Sequence, residues 1–415
     1  MYDGGIMNGR IYTEHGWVEG NLYIAEGKIA EITRVHYPAK EEYDACGRYV
    51  LPGFIDPHVH FALQGGSFSS VDDFRTGSIS AAFGGITTYI DFLDPIRTVG
   101  EIEAAFEQRM NLAASSVLDY GFHLTLANPL EKPETLVQKA RTLGMPSIKV
   151  FTAYSSTNRR TSEEYIERIL KISRDEEILL LVHAEDENKV REGKGIAVEA
   201  HELSRPAAAE IEQVMRLAEI ARATEGRLYI VHTSCGSTVE KLKDKYADVL
   251  GKSLFLESCP HYYLFDSSVY CTECGGMYTM TPPLRQAEEK EKLMSSMESV
   301  QVIATDHCPF NKSNKLHGYT CEIPMGIGGV EHSFSTMYTL FGDKIIDRFT
   351  INPAKIHGLY PRKGTLLPGS DADIVIFDSE TVWKVKEHHS ACDYSVYEGM
   401  EMKGKVISTL SRPAS

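Results

Sequence analysis

The sequence predicts an α/β fold, a (β/α)8 TIM barrel joined to a small β-sandwich domain built from both chain ends. Three observations carry that expectation. Eight apolar, strand-like runs recur through the middle of the chain. Helix-like segments lie between most of them, and such alternation makes a parallel sheet. Strand-like runs with glycine at their joints fill both ends.

Taken in order, Gly9-Arg10-Ile11-Tyr12, Asn21-Leu22-Tyr23-Ile24 and Lys28-Ile29-Ala30-Glu31-Ile32 read as a small antiparallel unit. The barrel runs follow at residues 53–60, 87–93, 120–127, 147–151, 178–183, 228–232, 254–259 and 301–305. Eight strands over roughly 250 residues match a closed barrel in count and size. Among the helices, residues 101–114 are rich in helix formers. Thr161 and Glu164 form a capping box ahead of 165–172. Pro206 stands near the start of 207–223, whose apolar residues recur at helical spacing. Asp373-Ile374-Val375-Ile376-Phe377 and Lys405-Val406-Ile407-Ser408 supply strands at the other end. Chain termini often lie close together, so the two ends can pair. The expected domains are residues 1–50 with 362–415, and the barrel over 51–361.

The bulk composition narrows the function classes. Of 415 residues, 42% are hydrophobic and 24% charged, enough to bury a sizeable core without staples. A net charge of -15 argues against sequence-independent nucleic-acid binding, which needs a basic surface. No run of about 18 apolar residues predicts a membrane span. The N-terminus lacks the basic-then-apolar pattern of a signal peptide. Eight scattered cysteines read as reduced thiols, so a cytoplasmic protein is expected. Cys271-Thr272-Glu273-Cys274 is a single Cys-x-x-Cys and reads as incidental loop cysteines.

Catalytic residues of such a barrel stand at the C-terminal ends of its strands. The first run ends in Asp56-Pro57-His58-Val59-His60 and the fourth holds Lys149. The fifth ends in His183 and the sixth in His232, and Asp306 follows the eighth. Residues i and i+2 of a strand share a face, so His58 and His60 can reach one metal. Imidazole suits zinc and neighbouring divalent ions. Taken singly, each of these is more often a core histidine, a surface lysine or a helix cap. Five coincidences at one end of one barrel are not expected by chance. A lysine buried there should have a lowered pKa. A neutral amine can add carbon dioxide, giving a carbamate able to bridge two metals.

Several stretches then resemble the amidohydrolase superfamily, and within it the dihydropyrimidinase and hydantoinase branch. Leu51-Pro52-Gly53-Phe54-Ile55-Asp56-Pro57-His58-Val59-His60 resembles the first-strand signature of the superfamily. Gly65-Gly66, Lys149-Val150-Phe151-Thr152-Ala153-Tyr154, His183-Ala184-Glu185 and Ser204-Arg205-Pro206 resemble the branch. So do Val231-His232-Thr233-Ser234, Cys259-Pro260-His261-Tyr262 and Thr305-Asp306-His307-Cys308-Pro309-Phe310. The resemblance implies hydrolysis of a cyclic amide with two divalent ions, most simply zinc, with manganese or cobalt as options. It places His58, His60, Lys149 and Asp306 on one ion and Lys149, His183 and His232 on the other, with Lys149 N6-carboxylated. A hydroxide between them would attack the ring carbonyl. Asp306 would carry the proton to the leaving nitrogen, and Tyr154 would donate to the oxyanion.

The resemblance also implies main-chain contacts to the substrate's amide edge at Thr281 and Met325. Both depart from the usual serine and asparagine, which puts the exact ring in question. Asn128 is a weaker pocket candidate. Phe61–Leu63 would suit an apolar ring substituent. A dihydroorotase or allantoinase is the alternative, yet dihydroorotases place an arginine where this chain has Ala62. A non-catalytic scaffold of the same fold lacks the ligands that are all present here. A small-molecule substrate, no nucleic acid or membrane partner, and a homodimer or homotetramer complete the expectation.

Overall fold

Eight short parallel strands form the centre of the computed structural model: β1 (Phe54–Asp56), β2 (Ile86–Phe92), β3 (Asp119–Thr125), β4 (Ser147–Phe151), β5 (Leu179–His183), β6 (Leu228–Ile230), β7 (Leu254–Ser258) and β8 (Val302–Ile303). The structure describes residues 1–65 and 68–411, so Gly66 of the quoted motif lies outside the described residues. The strands pair in chain order, and a parallel bridge from Val59 to His307 joins the two ends of the sheet just past β1 and β8. The His60 N–H donates to the His307 carbonyl at 2.9 Å across the same seam. The barrel expected from the sequence is therefore present.

Alternation decides which side each side chain takes. In β5, Leu179 and Leu181 join Tyr229, Phe255 and Val302 in one buried cluster. Leu180 and Val182 belong to the large cluster packed with the helices. Both faces of the strand are covered, which is why it reads as a continuous apolar run. Each such side chain contributes about 1.5–3 kcal/mol by leaving water.

Helices α1 (Phe74–Phe83), α2 (Val99–Ala113), α3 (Pro133–Thr142), α4 (Glu163–Ser173), α5 (Ala207–Thr224), α6 (Gly236–Lys245), α7 (Ala287–Ser295) and α8 (Ser333–Phe341) lie between and after the strands. The expected helices at 101–114 and 207–223 are α2 and α5. A capping box closes the start of α2, from Thr98 and Glu101. The box expected at Thr161 and Glu164 is not the one that forms. The N-cap of α4 is Ser162, whose side chain accepts from the Tyr165 N–H. Thr161 instead donates its N–H to the Phe151 carbonyl at 2.8 Å, which ties it to the end of β4.

The two chain ends share one seven-stranded sheet. Its order is Glu401–Leu410, Ile374–Lys384, Tyr49–Pro52, Tyr2–Thr13, Gly16–Ala25 and Lys28–Thr33, with Ala39–Asp44 parallel to Tyr2–Thr13. Ile11, Leu22, Ile29, Val50, Ile374 and Ile376 form its own buried cluster. Tyr49–Pro52 runs almost directly into β1, so the sheet hands the chain to the barrel at the strand that carries the histidine pair.

Candidate active site

All nine residues singled out above line one cavity of about 570 Å³: His58, His60, Lys149, Tyr154, His183, His232, Thr281, Asp306 and Met325. Asn128 is not among the lining residues. Lys149 stands within β4 and His183 ends β5. His58, His232 and Asp306 lie two to three residues past β1, β6 and β8. Two of these loop residues sit in the left-handed region, His232 at φ 38° and Asp306 at φ 51°, and Tyr154 joins them at φ 76°. Each such backbone costs about 1–3 kcal/mol and persists only where surrounding contacts enforce it.

The ligand-type atoms converge in two groups. His58 Nε2 and His60 Nε2 each stand 3.1 Å from Asp306 Oδ1. One ligand atom from each of these three residues lies within 4.8 Å of the others. In the second group, His183 Nδ1 and His232 Nε2 are 3.0 Å apart. Lys149 is buried, and among the described residues none accepts a hydrogen bond from its Nζ. Burial brings its pKa down to about 8. Burial also opposes the Asp306 charge, but His58 and His60 outweigh it and hold that carboxylate well below its usual range.

A ring of partners behind these groups turns them inward. Glu257 accepts from His58 Nδ1 (2.6 Å), from the His232 N–H (3.0 Å) and from the Tyr229 hydroxyl (2.8 Å). Glu185 accepts from His183 Nε2 at 2.7 Å. The other ring nitrogen of His58 and of His183 is thereby left facing the cavity, the usual arrangement behind metal-binding histidines. Asp56 accepts from the His58 and Thr305 N–H groups and the Thr305 hydroxyl, which fixes the ends of β1 and β8 to each other. Arg205 spans Glu185 (2.5 Å) and the Tyr154 hydroxyl (3.0 Å), and Tyr154 donates to Thr281 Oγ1 at 3.1 Å. Burial raises the Tyr154 pKa to about 12, so it stays a donor.

Sequence reasoning missed Glu257 and Lys315, and quoted Arg205 within a motif without giving it a role. Lys315 is fully buried, and its Nζ donates to Thr279 O and Oγ1, Pro324 O and Gly326 O at 2.8–3.0 Å. It therefore holds the two segments that carry Thr281 and Met325. One expectation is corrected. Phe61 does not face the cavity; next in the chain to His60, it points to the opposite side and is fully buried against Phe74, Tyr89 and His307. Of that stretch only Leu63 lines the cavity. Cys271 and Cys274 are exposed free thiols.

Residues 49–412 match the model of the amidohydrolase family. The D-hydantoinase of Geobacillus stearothermophilus is 34% identical over 435 aligned positions, spanning 98% of this chain and 91% of that protein. The chain belongs to the amidohydrolase family, in its hydantoinase branch. The crystal structure of the dihydropyrimidinase from Brevibacillus agri NCHU1002 superposes with a TM-score of 0.92 at 30% identity, covering 99% of this chain and 94% of that one. The L-hydantoinase (dihydropyrimidinase) from Arthrobacter aurescens superposes at 0.88 with 26% identity over 99% and 95%. The two solved structures thus share this fold almost equally well. The paired histidines and Asp306 could hold a divalent ion. Among the described residues, the other acidic cluster, Asp119, Asp371 and Asp373, is already filled by the Lys363 ammonium within 3.1 Å of all three.

Proposed function

We infer that this chain is a metal-dependent hydrolase that opens the cyclic amide bond of dihydropyrimidines or 5-substituted hydantoins. One observation carries the reading: nine residues chosen for one chemistry line a single cavity at the C-terminal end of the barrel. His58, His60, Lys149 and Asp306 would hold one divalent ion, and Lys149, His183 and His232 the other. Zinc fits the imidazole-rich set best, with manganese or cobalt acceptable. The buried amine of Lys149, lacking an acceptor, is suited to carboxylation, which turns a cation into a two-oxygen ligand. When bound, such ions lower the pKa of water from about 15.7 to roughly 7 and polarise a carbonyl.

The chain's own groups do the rest. Asp306, ionised and adjacent to both histidines, accepts the proton of the attacking water at its carboxylate and returns it to the departing ring nitrogen. Tyr154 donates its O–H to the oxyanion, with Arg205 fixing the hydroxyl. The backbone at Thr281 and Met325, anchored by Lys315, orients the amide edge. The hydantoinase and dihydropyrimidinase relatives support this reading over the dihydroorotase or allantoinase one.

The test is a hydrolysis panel of dihydrouracil, hydantoin, 5-substituted hydantoins, dihydroorotate and allantoin with the metal-loaded protein. Turnover of dihydroorotate alone overturns the reading. Lys149→Ala should abolish activity, and short-chain carboxylic acids should restore part of it. Wild-type activity in that variant removes the carbamate. Metal content of the purified protein distinguishes zinc from manganese and cobalt.

A further inference from the structure

Two cations of the cavity take no part in the chemistry above. Arg159 and Arg191 both line it and come from different loops. Arg159 follows β4, and its N–H donates to the Tyr154 carbonyl at 3.0 Å, which pins its backbone beside the oxyanion donor. Arg191 follows β5. Its N–H donates to the Ser204 carbonyl (2.7 Å) and its Nη2 to the Leu203 carbonyl (3.0 Å), just ahead of Arg205. Neighbouring arginines are already used: Arg160 faces Glu187 at 3.6 Å, and Arg205 carries Glu185 and Glu192. Among the described residues neither Arg159 nor Arg191 meets a carboxylate. In a chain of net charge -15, two arginines on one cavity with no carboxylate partner among the described residues are a local excess of positive charge.

The cavity has room for what they would hold. At about 570 Å³ it is sized for a ligand well beyond a bare ring of roughly eight non-hydrogen atoms. Leu63 and Phe151 supply apolar lining. A planar guanidinium binds a carboxylate through two parallel N–H donors.

We propose that the preferred substrate carries an anionic ring substituent, a carboxylate at the end of a short carbon chain, held by Arg159 and Arg191. The inference rests on the hydrolase reading above and narrows its substrate class. It replaces the wholly apolar substituent expected from Phe61, which faces the core.

The experiment compares 5-(2-carboxyethyl)hydantoin with its uncharged carboxamide, 5-(2-carbamoylethyl)hydantoin. With the metal-loaded full-length chain, kcat/KM should favour the carboxylate by about tenfold or more. Added salt should shrink the ratio, because exposed charges are screened. Equilibrium binding of the same pair to the metal-stripped protein should show the same preference without turnover. Arg159→Gln with Arg191→Gln should bring both ratios to within about threefold of one, while Arg159→Lys with Arg191→Lys should retain part of the preference. Equal handling of the pair by the wild type, or a preference that survives the glutamine variant, overturns the proposal. If neither compound is hydrolysed yet the carboxylate still binds more tightly through the arginines, the hydrolase reading falls and the anion site stands.

Discussion

Glu257 is the only charged residue in the apolar run 254–259, and it is fully buried inside the barrel. Its carboxylate accepts from His58, His232 and Tyr229, so two of the six proposed ligands depend on it. Glu257→Gln keeps the size but offers one acceptor oxygen in place of a carboxylate. Metal affinity should fall about 10–100-fold, the range seen when partners behind metal-binding histidines are removed. Chelator competition measures it, and an unchanged affinity would separate Glu257 from the site. The six proposed ligands were legible because they are metal-competent residue types placed where the runs end. Glu257 was less legible because it acts through other residues; a lone charge in an apolar run was its signal. Phe61 was misread because nearness to the histidine pair in the chain was taken for nearness in the cavity, although adjacent residues of an extended segment face opposite sides.

Between residue and fold lie the two segments around Thr281 and Met325, which are not parts of any barrel strand. Lys315, at the end of the short helix Lys312–Lys315, joins them through four oxygens. Close backbone approach makes this possible: a Cβ on Gly276 would lie 2.0 Å from the Lys315 carbonyl oxygen. Lys315→Met fills similar space and leaves those oxygens without their donor, at a cost of about 1–3 kcal/mol for each group left unsatisfied. We expect KM to rise about tenfold or more with little change in metal affinity, because no proposed ligand contacts Lys315. A fall in metal affinity matching the loss of activity would instead show general disruption. Nothing in the sequence marks Lys315, since its partners are three main-chain oxygens and one hydroxyl up to 36 residues away. The strands and main helices were legible from their periodicity. The α4 cap was not, because Thr161 was taken by a tertiary bond to Phe151 and Ser162 assumed the role.

At the scale of the whole molecule, the end sheet and the barrel meet at Lys363. Its ammonium lies 2.5 Å from Asp119 at the start of β3, 2.6 Å from Asp373 and 3.1 Å from Asp371, while Lys28 of the end sheet reaches Asp371 at 2.5 Å. Burial opposes the Lys363 charge, but Asp373 and Asp119 outweigh it and raise its pKa. Burial also opposes the Asp371 charge, yet Lys28 and Lys363 outweigh it and lower that pKa. For Asp373 burial wins and its pKa is raised. A raised lysine contributes fully below its unfolded value and is lost as pH rises through the folded one. A lowered carboxylate contributes above its unfolded value and is lost as pH falls through the folded one. The clamp is therefore strongest between about pH 4 and pH 10. Lys363→Met removes the cation that Asp373 and Asp119 share, while Lys28 stays on Asp371, at a cost of up to about 3–5 kcal/mol. Asp373, losing the Lys363 ammonium, then binds a proton more readily, so acidification relieves the variant more than the wild type. The denaturant midpoint should drop at pH 7, and the gap to wild type should narrow at pH 5. A gap that stays constant between those two pH values would mean that Lys363 acts through packing and not through charge.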